Sequence, residues 1–370
     1  MFKDPKYDIA KILILIVFVG GLAYFVFGNQ NSFRSTALVL EDSAIATTTV
    51  STVHKQLYLA GGLVTSGFTE LENKNDVWTS TDGANWSLVT DDAPWEGRSA
   101  FGFVYFKNKL WVLGGFTNNV NLNLSTDDDV SFNDVWVSND GGLTWIEVLA
   151  EAPWDKRFYH TVTVYKNKMW VIGGRPLGYI GYPYFYNDVW YSENGTDWVE
   201  ATDDAPFYVR YKHTSFVYKN KIWVMGGAME ANTHRNDVWY SSNGTSWTEA
   251  TPEAEWEKRG GHDSVVFGGK MLVLGGERYL PTTEQFSDMW SSESGATWTE
   301  MTPPGWSERF GHQVVEFNTN LWLYGGTSDT SNTLETEDQV WKMSDGVWSE
   351  VTPTGNPFIE GRMYFGLTSN

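Results

Sequence analysis

The chain contains no cysteine. Disulfides, thiolate metal centres and cysteine nucleophiles are therefore excluded together. The absence does not fix a compartment, because exported chains also lack cysteine. Positive charge is scarce as well: 26 Lys and Arg against 46 Asp and Glu leave a net charge of −20. Indiscriminate nucleic-acid binding is not expected of such a chain. What is plentiful is aromatic surface and glycine, with 20 Trp, 18 Tyr, 21 Phe and 36 Gly. With short apolar runs, that composition favours strands and turns over helices. An apolar content of 41% in 370 residues is enough for one large folded domain or two smaller ones.

One apolar run stands apart. Ile12 to Gly28 carries no charge and is preceded by Lys3, Lys6 and Lys11, with only Arg34 following closely. Its length is at the short end for a membrane-spanning helix. The charge bias predicts a cytoplasmic N-terminus (1–11), a signal anchor (12–28), a Ser/Thr/Ala-rich tether (29–47) and an extracytoplasmic domain (48–370). A cleaved signal peptide is the rival reading. It is disfavoured because Tyr24-Phe25-Val26-Phe27 leaves no small-residue cleavage site beside the run.

The rest of the chain is organised by recurrence. Gly-Gly pairs stand at 61–62, 114–115, 173–174, 226–227, 275–276 and 325–326, about 50 residues apart. Each is followed by a Trp (Trp78, Trp136, Trp190, Trp239, Trp290, Trp341), a tight turn such as Asn194-Gly195 or Asn243-Gly244, and a second Trp (Trp86, Trp145, Trp198, Trp247, Trp298, Trp348). An alternating segment, a turn, a second strand, the Gly-Gly pair, a loop, a third strand, a hairpin turn and a fourth strand make a four-stranded antiparallel unit. The tryptophans are expected to fill the space between such units.

Arginines recur before the first strand of each unit at Arg98, Arg157, Arg210, Arg259, Arg309 and Arg362. The last begins a strand with no second strand after it. The first unit has its Gly-Gly pair but no arginine before it. The register predicts that the C-terminal strand completes the N-terminal unit and closes a ring, leaving no open edge at the seam. The rival is an inner strand formed by residues 47–53.

On these motifs the chain resembles kelch-repeat, galactose-oxidase-like proteins, which implies an all-β, six-bladed propeller over residues 48–370. Ser138-x-Asp140-x-Gly142-x-Thr144-Trp145 also resembles the Asp-box of sialidases, a structural hairpin in that family. That similarity implies no hydrolytic chemistry. The copper site of galactose oxidase uses a Cys-crosslinked Tyr, so the resemblance does not extend to that cofactor. No cofactor is expected.

Strand direction puts the first-to-second and third-to-fourth turns on one face. Loops before the first strand and after the second lie on the other, which is the expected binding face. Three features mark it. The six arginines offer two-point pairing to carboxylates, and kelch domains that grip acidic peptides resemble this. Alternatively, each arginine serves its own repeat by bonding loop carbonyls and acids of an adjacent blade. The insertion Arg175 to Tyr186 supplies Arg175, Tyr179, Tyr182, Tyr184, Phe185 and Tyr186, which either stack on a ligand or plug the mouth. Asp127, Asp128 and Asp129 are a weak Ca²⁺ candidate without EF-hand spacing. A solvated acidic loop is the favoured reading.

His160, His213, His262 and His312 share one repeat position and radiate outward, so they are read as structural rather than as metal ligands. Asp76, Asp134, Asp188, Asp237, Asp288 and Asp338 are read as turn residues that bond backbone. The expected function is a membrane-anchored binding module for a glycan or an acidic peptide or protein. One alternative, implied by resemblance to kelch enzymes that interconvert sialic acid anomers, is a sugar-acid mutarotase. A structural component of the cell envelope is the other.

Overall fold

The computed structural model describes residues 13–19, 22–29, 32–37, 55–66, 70–117, 130–177, 185–229, 233–280, 282–328, 336–355, 357 and 361–370. Two compact units divide at Lys55/Gln56. In the first, Leu13–Val19, Leu22–Asn29 and Ser32–Ala37 form a three-stranded antiparallel sheet. A helix is expected over residues 12–28; the described part of that run is extended, and a membrane anchor is not shown. Among the described residues no helix is long and apolar enough to cross a membrane. Its β-branched and aromatic residues suit a strand as well as an apolar helix, and a continuous apolar run carries no periodicity to separate the two.

The second unit is the six-bladed propeller. Blade 3 shows the pattern: Thr161–Tyr165, Lys168–Gly174, Tyr186–Ser192 and Trp198–Thr202 pair in order as an antiparallel meander. Blades 2, 4, 5 and 6 begin with inner strands Gly102–Phe106, Thr214–Tyr218, Asp263–Phe267 and Gln313–Phe317. Blade 1 is assembled from both ends of the unit. Gly366–Ser369 is its inner strand and pairs with Leu57–Ser66, Gly366 opposite Ala60. The predicted C-terminal closure is therefore present; residues 47–53, on which the rival rests, lie outside the described residues.

The second strand of each blade is buried on both faces, as with Met169, Trp170, Val171 and Ile172. Six apolar clusters account for this, one at each junction between neighbouring blades. One joins Val77 of blade 1 to Val112 of blade 2, and another closes the ring by joining Tyr324 and Val340 of blade 6 to Leu57 and Leu59 of blade 1. The outer-strand tryptophans pack edge-on against residues in the crossovers between blades: Trp95 on Trp145, Trp154 on Trp198, Phe207 on Trp247, Trp256 on Trp298 and Trp306 on Trp348.

The first-to-second turn of one blade meets the third-to-fourth turn of the next. Lys166 Nζ and Tyr165 Oη of blade 3 both donate to Ser242 O of blade 4, at 2.9 and 3.0 Å. Both kinds of turn therefore share one face, as strand direction predicted. The other face carries the long loops, and a short ribbon of Glu277–Leu280 and Thr282–Gln285 stands on blade 5.

Deleting residues 362–370 removes the inner strand of blade 1 and bares the edge of Leu57–Ser66. Amide exchange over residues 57–60 should then lose its protection and the urea midpoint should fall. Unchanged protection would show that the C-terminal strand does not hold the ring shut.

Candidate functional site

The six arginines are the first residues to place, and they are buried. Arg157, Arg210, Arg259 and Arg309 have no exposed surface, and Arg98 and Arg362 almost none. Arg98 Nη1 donates to Gly114 O at 2.9 Å and to Asp134 Oδ1 at 2.6 Å, while Nη2 donates to Asp134 Oδ2 at 2.8 Å. Arg157 with Asp188, Arg210 with Asp237, Arg259 with Asp288 and Arg362 with Asp76 repeat this two-point geometry. The backbone of each arginine belongs to the preceding blade: Gly62 N donates to Arg98 O, and Arg98 N donates to Lys74 O. Each arginine thus clamps two blades. Burial pushes the carboxyl of Asp76 up, but the hydrogen bonds and charge of Arg362 outweigh it and hold the group below its usual range. Arg210 does the same for Asp237.

Two expectations are corrected here. The arginines are committed inside the fold and do not present a ring of cations to a ligand. The aspartates are acceptors for arginine and for the indole N–H two residues on, as in Trp190 Nε1 to Asp188 Oδ2 at 2.8 Å, and are not backbone-bonding turn residues. In blade 6 that position is Gln339, not Asp338. Gln339 Oε1 takes Arg309 Nη2 at 2.7 Å.

The Gly-Gly pairs fit the same register. Both glycines of every pair have positive φ, such as 59° and 102° at Gly173 and Gly174. A Cβ on Gly173 would lie 3.0 Å from the His213 ring, and one on Gly174 would lie 2.7 Å from His160 Cβ. The pair is sandwiched between the third residues after two successive arginines. His160, His213, His262 and His312 take that place in four blades, Phe101 and Phe365 in the other two. Burial, with the nearby arginine charge, drives His160 and His312 down to about 3 and His213 and His262 well below their usual value. They are neutral wedges, as expected.

One residue earlier, the chain closes a ring of backbone hydrogen bonds around the axis. Tyr159 N donates to Ala100 O, Lys212 N to Tyr159 O, Gly261 N to Lys212 O, Gly311 N to Gly261 O, Tyr364 N to Gly311 O and Ala100 N to Tyr364 O, at 2.8 to 3.1 Å. All six residues have φ between 51° and 67°. For the four that are not glycine this conformation costs energy and persists because the ring over-determines it.

This ring forms the mouth on the loop face. Aromatic side chains floor it in one connected series: Phe116 on Phe158, Phe158 on Tyr159, Tyr159 on Tyr211 and on Tyr364, Tyr211 on Phe185, and Tyr364 on Phe310. Lys212 Nζ sits above Tyr159, Tyr364 and Phe310 and pairs with Glu277 at 2.5 Å. Burial works against the Lys212 charge, but Glu277 outweighs it and raises the lysine well above its usual value. Arg175 lies 5.1 to 5.3 Å from the ring centres of Phe158, Phe185 and Tyr211. Its Nε makes one long hydrogen bond, 3.4 Å to Pro176 O, and among the described residues no carboxylate pairs with it. Tyr186 instead covers the buried Arg157, 4.3 Å from ring centre to guanidinium. Tyr179, Tyr182, Tyr184 and Asp127, Asp128 and Asp129 lie outside the described residues.

Beneath the mouth the inner strands enclose an axial chamber of about 280 Å³. Its walls differ by blade at the fourth residue after each arginine. Gly102 and Gly366 sit against Val162 and Phe103, and a Cβ at either would collide with them. Thr161, Thr214, Asp263 and Gln313 make the opposite wall polar. Asp263 Oδ2 accepts from Val314 N at 2.6 Å and Oδ1 from Ser264 N at 2.7 Å. Among the described residues no salt bridge neutralises it. Burial raises its carboxyl to about 7 against the opposing effect of those two N–H groups.

Comparison with known proteins agrees with this architecture. Residues 47–276 match the family model described as the KLHDC2/KLHL20/DRC7 Kelch-repeats domain. The chain belongs to the kelch-repeat family. Among curated proteins, tip elongation aberrant protein 1 of Schizosaccharomyces pombe is 26% identical over 191 residues, 48% of this chain and 15% of that protein. Putative protein tag-53 of Caenorhabditis elegans is 29% identical over 176 residues, 44% of this chain and 12% of that protein. The kelch unit therefore corresponds to a small part of these relatives. A solved structure titled "Structure of YjhT" superposes with a TM-score of 0.61 at 14% identity, covering 80% of this chain and 97% of that one. The likeness is one of fold.

The kelch register also shows what sequence reading passed over. Tyr159, Lys212 and Tyr364 stand two residues after an arginine, Asp263 four residues after one, and Glu277 directly after a Gly-Gly pair. Aligning the repeats on the arginines would have set these chemically varied residues side by side.

Asp263 gives a pH dependence. In the folded chain its carboxyl is raised to about 7, whereas in the unfolded chain it titrates near the usual ~3.9. The folded state therefore holds this proton more tightly. The stabilisation is full below the unfolded value and is lost as pH rises to about 7 and beyond. Its neighbours His262 and His312 stay neutral over this range, and Lys212 stays charged. The buried histidines act in the opposite direction, because the unfolded chain protonates them below ~6.5, so the Asp263 effect is read as a difference: from pH 5 to pH 8 the thermal midpoint of Asp263→Asn should rise relative to that of the unaltered protein. Equal slopes in the two proteins would contradict the assignment.

Proposed function

We propose that this kelch propeller is a binding module that takes an anionic ligand, an acidic glycan or an acidic peptide segment, at the Arg175 mouth. One observation carries the reading: Arg175 is held over three aromatic rings on the loop face and has no carboxylate partner among the described residues. Five of the six repeat arginines are paired with aspartate and the sixth with Gln339, so this guanidinium keeps its two-point geometry for an incoming carboxylate or sulfate. The floor of Tyr159, Tyr211, Phe185 and Tyr364 supplies flat apolar surface for a sugar face or a peptide side chain.

The reading includes a membrane tether with the propeller on the extracytoplasmic side. Its support is the uncharged run Ile12 to Gly28 behind three lysines. In lipid such a run satisfies its backbone as a helix, because an open three-stranded sheet would leave edge groups unpaired.

A sugar-acid mutarotase is the second reading, favoured by the Lys212–Glu277 pair beside Tyr159 and Tyr364 at the same mouth. NMR of sialic acid anomers with the full-length chain separates the two. Acceleration over buffer supports the enzyme, and none supports the binding module.

The binding reading is tested on an array of acidic glycans and acidic peptides probed with the full-length chain. Arg175→Ala should weaken capture roughly ten- to hundredfold, the loss expected for charge-assisted hydrogen bonds. It should lower stability by no more than about 1 kcal/mol, the value of cation–π contacts at a partly exposed site. Capture that survives Arg175→Ala would refute the site.

A further inference from the structure

The axial chamber beneath the mouth carries a separate argument, which does not depend on the anionic ligand. Asp263 is a partly buried carboxylate in the wall of the axial chamber, bonded among the described residues by two backbone N–H groups. Elsewhere in the propeller a buried aspartate meets an arginine. A carboxylate removed from water without a cation is costly.

The neighbouring blades show what usually occupies this position. Thr161 Oγ1 meets His213 Nε2 at 3.2 Å, and Thr214 Oγ1 meets His262 Nε2 at 3.3 Å. In each case the fourth residue after one arginine faces the histidine of the next blade. By the same register Asp263 faces His312. Yet His312, 1% exposed, closes no hydrogen bond there, and its Nε2 has no partner. Both ring nitrogens of the neutral His312 lack a hydrogen-bond partner among the described residues, and a neutral imidazole offers one of its nitrogens as an acceptor, here Nε2. Gln313 Nε2 donates to His312 O at 3.2 Å, which leaves Gln313 Oε1 as an acceptor as well. Three acceptors from blades 5 and 6 therefore converge on one side of the chamber. Phe101, Phe103, Val162 and Leu367 are among the other residues that line it.

We propose that the axial chamber is a binding site for a small molecule bearing a primary ammonium group, with Asp263 as its counter-ion and His312 Nε2 and Gln313 Oε1 as further acceptors. An ammonium supplies three donors and no acceptor, which matches this set. The chamber volume of about 280 Å³ admits a molecule up to the size of an amino sugar. Lys212 is the cation nearest the chamber roof, and its charge is balanced by Glu277, so it does not take the place of the ligand. Capture should strengthen as pH rises through the Asp263 titration. His160, His213, His262 and His312, which also line the chamber, remain neutral there, burial keeps the Tyr159 and Tyr364 hydroxyls protonated, and Lys212 stays charged.

The test uses the full-length chain and two matched pairs of probes, glucosamine against glucose and ethanolamine against ethylene glycol. Binding is read by calorimetry and by thermal shift at pH 6 and pH 8. At least one amine should bind, more tightly at pH 8, while its neutral counterpart does not. Asp263→Asn should weaken amine binding roughly ten- to hundredfold, as for loss of a charge-assisted hydrogen bond. His312→Phe places in blade 6 the residue that two other blades carry at the same position, so the packing is retained while the acceptor is lost. It should weaken binding about tenfold. Absence of binding by both amines, equal binding of the neutral probes, or amine affinity unchanged in both variants would each overturn the proposal.

Discussion

Everything in the propeller hangs on a guanidinium that belongs to two blades at once. The backbone of each repeat arginine is bonded into the blade before it. Its side chain reaches into the blade that it begins, to a glycine carbonyl and, in five of six cases, to both oxygens of an aspartate. Desolvating that charge is expensive, and only the full set of partners compensates for it. The arrangement tolerates little displacement, so it sets the spacing and register of neighbouring blades. At the seam the same clamp joins Arg362 to Asp76 and Gly61 O, and the chain ends are locked by the interaction that locks every other junction.

With the register fixed, the residues that follow each arginine become columns around the axis. The second closes the backbone ring, the third wedges between Gly-Gly pairs, and the fourth lines the chamber. Backbone geometry is constant down each column while chemistry varies. Lys212 stands where Gly261 and Gly311 stand, and Asp263 stands where Thr161 and Thr214 stand. Constancy carries stability and variation carries recognition. The kelch scaffold accordingly places Arg175 and Asp263, neither of them in an ion pair among the described residues, on different levels.

Much of this was legible in the sequence because repetition exposes it. The Gly-Gly spacing gave the blade count, and Arg362 gave the closure. The constant histidines were readable as structural because equivalent positions on different blades cannot converge on one ion. The same logic pointed to a structural role for the arginines, yet their attraction to anions also admitted a ligand ring. The partner aspartates, roughly 30 residues away, decide the matter, and sequence alone does not show that they face the guanidinium. Asp338 misled because it lies one residue out of register, which only the Gln339 contact with Arg309 reveals. Arg175 was noticed for its aromatic insertion. Glu277 and Asp263 were not, because each differs from its own column and columns are visible only after the clamp is known.

The central claim is that the arginine clamp is a coupled pair in the core of the ring and not a surface charge. A double-mutant cycle with Arg210→Met and Asp237→Leu, followed by denaturant unfolding, measures it directly. The account predicts that each single change costs about 3–5 kcal/mol, because it strands a buried charge. It also predicts that the double variant loses much less than the sum, leaving a coupling of at least about 2 kcal/mol. Single losses below about 1 kcal/mol that simply add, as for exposed ion pairs, would contradict it.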